Sequence, residues 1–215
     1  MLHHEISGNG KKPLVLLHGF MENTTIWNEM EAHLSKDFTL IKIDLPGHGK
    51  SKVYQEIHTV ELMAEKVKEV IDALKLEKIN LLGHSLGGYV SLAFAEKFPE
   101  ILESMTLFFS TTVADDEEKK AIRKRSIAVI DENFETFVKT SIPNLFSNNE
   151  KDILEGKIEL AKNIAKSTHK EGVKAAQLGM AERPDRTEIL ENLDAKILII
   201  AGKYDNAVKT ENLLK

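Results

Sequence analysis

The 215-residue chain contains no cysteine, which excludes a disulfide framework and thiolate chemistry and suits a reducing compartment. Long apolar runs are missing too: none approaches the ~20 residues that a membrane-spanning helix needs. The amino terminus, Met1-Leu2-His3-His4-Glu5, lacks the charged and apolar regions of a signal peptide. A cytoplasmic protein with no membrane partner is the expectation. There is no excess of positive charge, since 29 Lys and Arg stand against 34 Asp and Glu for a net charge of -5, which argues against nucleic acid as a partner. Internal repeats and low-complexity tracts are likewise absent.

With 42% hydrophobic and 29% charged residues, the chain has the composition of a globular protein with one sizeable core. Apolar runs rich in branched residues recur at Leu14 to Leu17, Phe38 to Ile43, Ile79 to Leu82, Met105 to Phe109 and Ile197 to Ala201, each bounded by polar or glycine turns. These read as buried strands. Between them Val60, Met63, Ala64, Val67, Val70, Ile71 and Leu74 fall on one helical face behind a Thr59 N-cap. Strand alternating with helix predicts an α/β fold, a mostly parallel central sheet flanked by helices with ligands bound beyond the carboxyl ends of the strands. The alternation stops after Thr111. Helical-period sequence takes over at Ala121 to Ile130, Ile153 to Ala165 and Val173 to Met180, punctuated by Pro143, Gly156 and Pro184. The expected division is a core of residues 1–110 and 188–215 carrying a helical lid at 111–187, with the charge cluster Asp115 to Lys120 as the solvated start of a lid helix.

The chemistry concentrates at Gly83-His84-Ser85-Leu86-Gly87, a G-x-S-x-G sequence between a strand pattern and a helix pattern. A strained strand-to-helix turn with glycines on either side exposes the serine hydroxyl, so Ser85 is the candidate nucleophile. The Leu86 N–H, next in the chain, is placed to donate to an oxyanion. A second donor is expected from Phe20, after the strand that ends in His18-Gly19, where glycine lets the backbone turn inward. His18 itself reads as a loop tie. Asp44-Leu45-Pro46-Gly47-His48-Gly49-Lys50-Ser51 is turn chemistry without the spacing of a phosphate loop. Asp205, at the carboxyl end of the last strand, is the candidate acid, with Asp115 and Asp116 as rivals that look more like helix N-terminal carboxylates.

Together these pieces resemble the α/β-hydrolase family in its lid-bearing, esterase-like branch. The resemblance rests on His18-Gly19-Phe20, the D-x-P-G-x-G-x-S loop from Asp44 to Ser51, the Gly83 to Gly87 elbow and the Gly202 to Asp205 strand end. It implies a lid entering after the family's sixth strand, here Met105 to Phe109, and a serine hydrolase acting on a small carboxylic ester or related acyl substrate through an acyl-enzyme. No cofactor and no metal are implied, and the oligomeric state is left open. The resemblance also implies a histidine on a loop after one further strand. Only ten residues follow Asp205, with the beginning of a helix at Glu211 to Leu214 and no histidine. His169, in the lid, is the one histidine kept open as a substitute. The expectation is a hydrolase fold lacking its last strand and helix, truncated before the catalytic histidine rather than naturally inactive. Loss of a triad base typically costs ~10⁶ in kcat, so the chain is expected to be impaired. The alternative is a non-catalytic small-ligand-binding protein, its pocket lined by Phe134, Phe137, Leu145, Phe146 and Met180, residues that equally suit a lid core.

Overall fold

A computed structural model of the chain describes residues 1–203 together with Asp205 and Val208; the helix start expected at Glu211 to Leu214 lies outside the described residues. Six strands, β1 (His4–Ser7), β2 (Lys12–Leu17), β3 (Phe38–Ile43), β4 (Ile79–His84), β5 (Leu102–Phe108) and β6 (Lys196–Ile200), form one sheet in the order β1-β3-β2-β4-β5-β6. β2 to β6 run parallel, and β1 pairs antiparallel with β3 at the edge. The sequence pattern did not call for β1. His-Glu-Ile-Ser carries one apolar residue, exposed at that, and is held by edge pairing rather than by burial.

Alternation along the central strands builds a core on each face of the sheet. Val15, Leu17, Ile41, Ile43 and Leu81 point into the larger core, while Leu14, Leu16, Leu40 and Leu82 pack with Trp27 on the other. Helix α1 (Asn28–Leu34) contributes partly buried Met30 and Leu34 to the Trp27 side. Helix α2 (Val60–Ala73) buries Val60, Met63, Ala64, Val67, Val70 and Ile71, and the Thr59 hydroxyl caps it by accepting the Leu62 N–H at 3.1 Å. Each such aliphatic side chain contributes about 1.5–3 kcal/mol relative to exposure. Helix α3 (Leu86–Lys97) is buried from Leu86 through Ala95 and crosses the centre of the sheet. Among the described residues no helix is long and apolar enough to cross a membrane.

Between β5 and β6 the chain is helical: α4 (Glu117–Glu132), α5 (Phe134–Ser141), α6 (Glu155–Lys166), α7 (Lys170–Glu182) and α8 (Thr187–Asn192). Ile130, Phe137, Val138, Ile142, Ala165 and Val173 form a small core of their own, into which Met21 from the loop after β2 inserts. α7 docks on the segment before α2. The His58 N–H donates to the Ala175 carbonyl at 3.0 Å, and a Cβ at Gly47 would lie 2.5 Å from the Gly172 Cα. Arg186 joins the block to the core through Glu61 and Glu96.

The start of α4 corrects one expectation. Asp116 is its exposed cap, accepting the Lys119 N–H at 2.7 Å, but neighbouring Asp115 is not solvated. It is buried between Arg123 and Arg183. Burial alone would push its pKa up, and the two guanidinium groups outweigh that and hold the carboxylate ionised.

Candidate active site

The sheet order reverses around β2, because the chain passes from β2 to β3 on one side and returns to β4 on the other. The crevice beyond the carboxyl ends of β2 and β4 is thus a topological switch point, where open α/β sheets hold ligands. Ser85 follows β4 directly, and Gly19 and Phe20 lie just beyond β2.

Ser85 adopts φ 49° and ψ -110°, a strained conformation for a residue with a side chain. The surroundings impose it. The Ser85 N–H donates to the Phe108 carbonyl at 3.0 Å, and the Ser85 carbonyl accepts from the Gly88 N–H at 2.9 Å and the Ser110 hydroxyl at 2.8 Å. The backbone is fully engaged, while the hydroxyl makes no cap bond to the helix it precedes. The glycines allow close packing. A Cβ at Gly83 would overlap the Gly87 carbonyl and the Ser91 hydroxyl, and one at Gly87 would overlap the Leu17 carbonyl. Gly87 and the end of β2 therefore touch backbone to backbone. Among the described residues, neither the Phe20 N–H nor the Leu86 N–H donates a hydrogen bond.

The loop after β2 is fastened from several directions. His18 is wholly buried: its Nδ1 donates to the Gly19 carbonyl at 2.7 Å and its Nε2 accepts the Leu45 N–H at 2.9 Å. Burial holds its pKa below the ordinary value, so the ring is neutral. In the glycine-rich loop Asp44 accepts the Thr24 N–H at 2.8 Å and the Lys50 N–H at 2.9 Å. His48 and His58 each donate from Nδ1 to the Pro46 carbonyl, at 3.0 and 3.1 Å. Burial, reinforced by the neighbouring histidines, pushes His48 down to about 3. These three histidines are structural ties.

Glu22, a residue without a sequence signal, stands beside the elbow and engages His84 within it. Glu22 Oε2 accepts the Gly19 N–H at 2.6 Å and faces His84 Nδ1 at 2.8 Å. Burial would lower the His84 pKa, but the Glu22 charge and hydrogen bond, helped by Asp205, raise it above the ordinary value. Glu22 is correspondingly held below the usual carboxylate range, because the histidine outweighs the cost of burial. The two residues are 62 positions apart, and nothing local to either announces the contact.

Asp205 lies beyond β6 and is half-buried, with its Oδ1 accepting the Val208 N–H at 2.9 Å and its own N–H donating to the Gly202 carbonyl at 3.2 Å. Its rival Asp115 is taken up by the two arginines. His169 sits at the start of α7. Phe134, Phe137 and Phe146 pack in the helical block's core against Phe20 and Met21, Met180 joins the main core, and Leu145 is exposed.

Residues 12–215 match the family described as alpha/beta hydrolase fold. In three dimensions the chain superposes with a TM-score of 0.93 on a thermophilic esterase from Thermogutta terrifontis, 34% identical, over 99% of this chain and 79% of that one. A putative 2-succinyl-6-hydroxy-2,4-cyclohexadiene-1-carboxylate synthase of Bacillus subtilis is 28% identical over 92% of this chain and 75% of its own length. An uncharacterized protein of Mycobacterium tuberculosis is 35% identical over 111 residues, 52% of this chain. The match spans only about a third of that relative, 32% of its length.

Proposed function

The chain belongs to the alpha/beta hydrolase fold family, and on that premise we propose that it is a serine hydrolase of small carboxylic esters or related acyl compounds. The observation that carries the reading is Ser85. Its strained backbone, fully bonded N–H and C=O, and uncommitted hydroxyl suit a nucleophile and serve no evident packing purpose. In the proposed reaction Ser85 Oγ attacks the acyl carbon and gives up its proton to a base. The negative carbonyl oxygen takes the Phe20 and Leu86 N–H groups, and collapse expels the alcohol, which receives a proton. Water then hydrolyses the acyl-enzyme.

Asp205 is the proposed acid that orients a histidine base. Among the described residues, no histidine hydrogen-bonds the Ser85 hydroxyl, and His18, His48, His58 and His84 hold other partners. On this reading, acylation and deacylation by these 215 residues respond to an external base. The helical block, residues 111–187, is the proposed lid, a role supported by its packing on Phe20 and Met21. Placement in the cytoplasm fits the cysteine-free composition. A purely ligand-holding role is less well supported, since a pocket wall gains nothing from the strain at Ser85.

The test is p-nitrophenyl acetate hydrolysis by the wild-type chain and Ser85→Ala, with and without imidazole. A Ser85-dependent rate that imidazole increases beyond its effect on Ser85→Ala is the expected result. Equal rates for the two chains under both conditions would defeat the proposal. Thioester and lactone substrates in the same assay separate the acyl classes.

A further inference from the structure

The acylation scheme leaves Glu22 without a role, yet its carboxylate joins two chain segments at the reacting centre. Gly19 to Glu22 forms a β-turn, closed by the Glu22 N–H donating to the Gly19 carbonyl at 3.3 Å, with Met21 at φ 58° where a type II turn requires a positive value. The same carbonyl accepts from His18 Nδ1 at 2.7 Å. In a trans peptide C=O and N–H point in opposite directions, so two bonds on the Gly19 oxygen fix the direction of the Phe20 N–H, the proposed oxyanion donor. Glu22 Oε2 then holds the Gly19 N–H at 2.6 Å and the His84 ring at 2.8 Å. His84 immediately precedes Ser85. One carboxylate oxygen thus ties the loop bearing the donor to the strand end bearing the nucleophile. A Cβ at Gly19 would sit 2.7 Å from Glu22 Oε2 and 2.8 Å from His84 Nδ1, so the linkage leaves no room for a larger residue.

We propose that Glu22 is a positioning residue of the oxyanion site, locking the Gly19 N–H, one peptide before the Phe20 donor, to the Ser85 elbow through His84. Its effect on rate rests on the serine hydrolase reading; the lock itself does not. Among the described residues, the charged and titratable groups that face the pair are Asp205, from beyond β6, and His18, which burial keeps neutral. The remaining neighbours of the His84 ring, Phe108 and Phe109 at 5.6 and 6.3 Å between centroids, carry no charge. A protonated His84 makes the bond to Glu22 charge-assisted. As pH rises through the His84 titration that assistance disappears and Glu22 and Asp205 face a neutral ring, so the lock weakens on the alkaline side.

The test compares wild type, Glu22→Gln and Glu22→Ala by the NMR titration of His84, the exchange rate of the Gly19 amide and the rate of Ser85 acylation by p-nitrophenyl acetate. The His84 titration is expected to fall by about one pH unit or more in both variants, since the neutral amide keeps the acceptor but loses the charge. Gly19 exchange is expected to rise about tenfold in Glu22→Ala and to be largely restored in Glu22→Gln, while acylation falls in Glu22→Ala and is largely restored in Glu22→Gln. An unchanged His84 titration in Glu22→Gln would overturn the proposal, and this near-isosteric variant decides the matter even if Glu22→Ala fails to fold. If wild type and Ser85→Ala acylate equally, the hydrolase reading fails, while the titration and exchange still decide the lock.

Discussion

Ser85 holds a conformation that glycine adopts without strain, and its side chain supports no helix cap. A non-glycine residue in such a region costs of order 1–3 kcal/mol, so Ser85→Gly should raise the unfolding free energy by about 1 kcal/mol while abolishing acylation. Urea midpoints of the two chains check this. A second residue-scale prediction concerns acid. His18, His48 and His58 are buried and neutral, all with pKa values lowered by burial, His48 to about 3. The unfolded chain takes up these protons near pH 6.5, whereas the folded chain resists them. Their stabilising effect is therefore complete above pH 6.5 and is lost as pH falls toward the folded values, at ~1.4 kcal/mol per pH unit for each. His84, shifted upward, contributes in the opposite sense, with stability present at low pH and lost as pH rises through its titration. Urea unfolding at pH 7, 5.5 and 4.5 should show falling stability, and His48→Asn, which keeps a donor toward Pro46, should make the fall shallower by about one proton. At this scale the sequence makes the strand-to-helix turn at Ser85 and the turn after His18-Gly19 readable, because both are local patterns. The Glu22–His84 pair is not readable, because it is a contact across 62 residues.

At the scale of elements, the helical glycines separate fit from freedom. Gly156 in α6 has nothing within 4 Å of an added Cβ, whereas a Cβ on Gly179 in α7 would overlap the His58 carbonyl. Gly156→Ala should therefore stabilise by about 0.5–1 kcal/mol, and Gly179→Ala should cost about 1–3 kcal/mol by forcing α7 away from the segment before α2. Thermal midpoints would show shifts of opposite sign. The arginine clamp gives a further prediction. Arg183 donates to the Val113 carbonyl at 3.0 Å and to Asp115 at 3.0 Å, and its guanidinium lies 3.9 Å from the centre of the Tyr89 ring. Arg183→Ala should destabilise by about 3 kcal/mol, because it strips one partner from a buried carboxylate. Denaturant unfolding measures the loss. Helix α2 was legible in full, its cap and apolar face lying within one stretch of sequence. Strand β1 was not, since four mixed residues pair at an edge, and the burial of Asp115 depends on Arg183, 68 residues away.

For the whole molecule, the reversal of strand order around β2 explains why residues from separate loops meet. The ends of β2 and β4 are adjacent, so the proposed donor loop after one and the proposed nucleophile after the other need no long excursion to meet. The helical block packs its own core on Met21, in the loop after β2, which is the contact that supports the proposed lid. The central claim, that this architecture makes Ser85 the nucleophile, is tested most directly by exposing the chain to p-nitrophenyl acetate and locating the acyl group by peptide mass spectrometry. The account predicts an acyl adduct on the peptide containing Ser85 that is absent from Ser85→Ala and that persists where, as among the described residues, no histidine hydrogen-bonds the Ser85 hydroxyl. Acylation scattered over lysines, identical in the two chains and sparing Ser85, would contradict it.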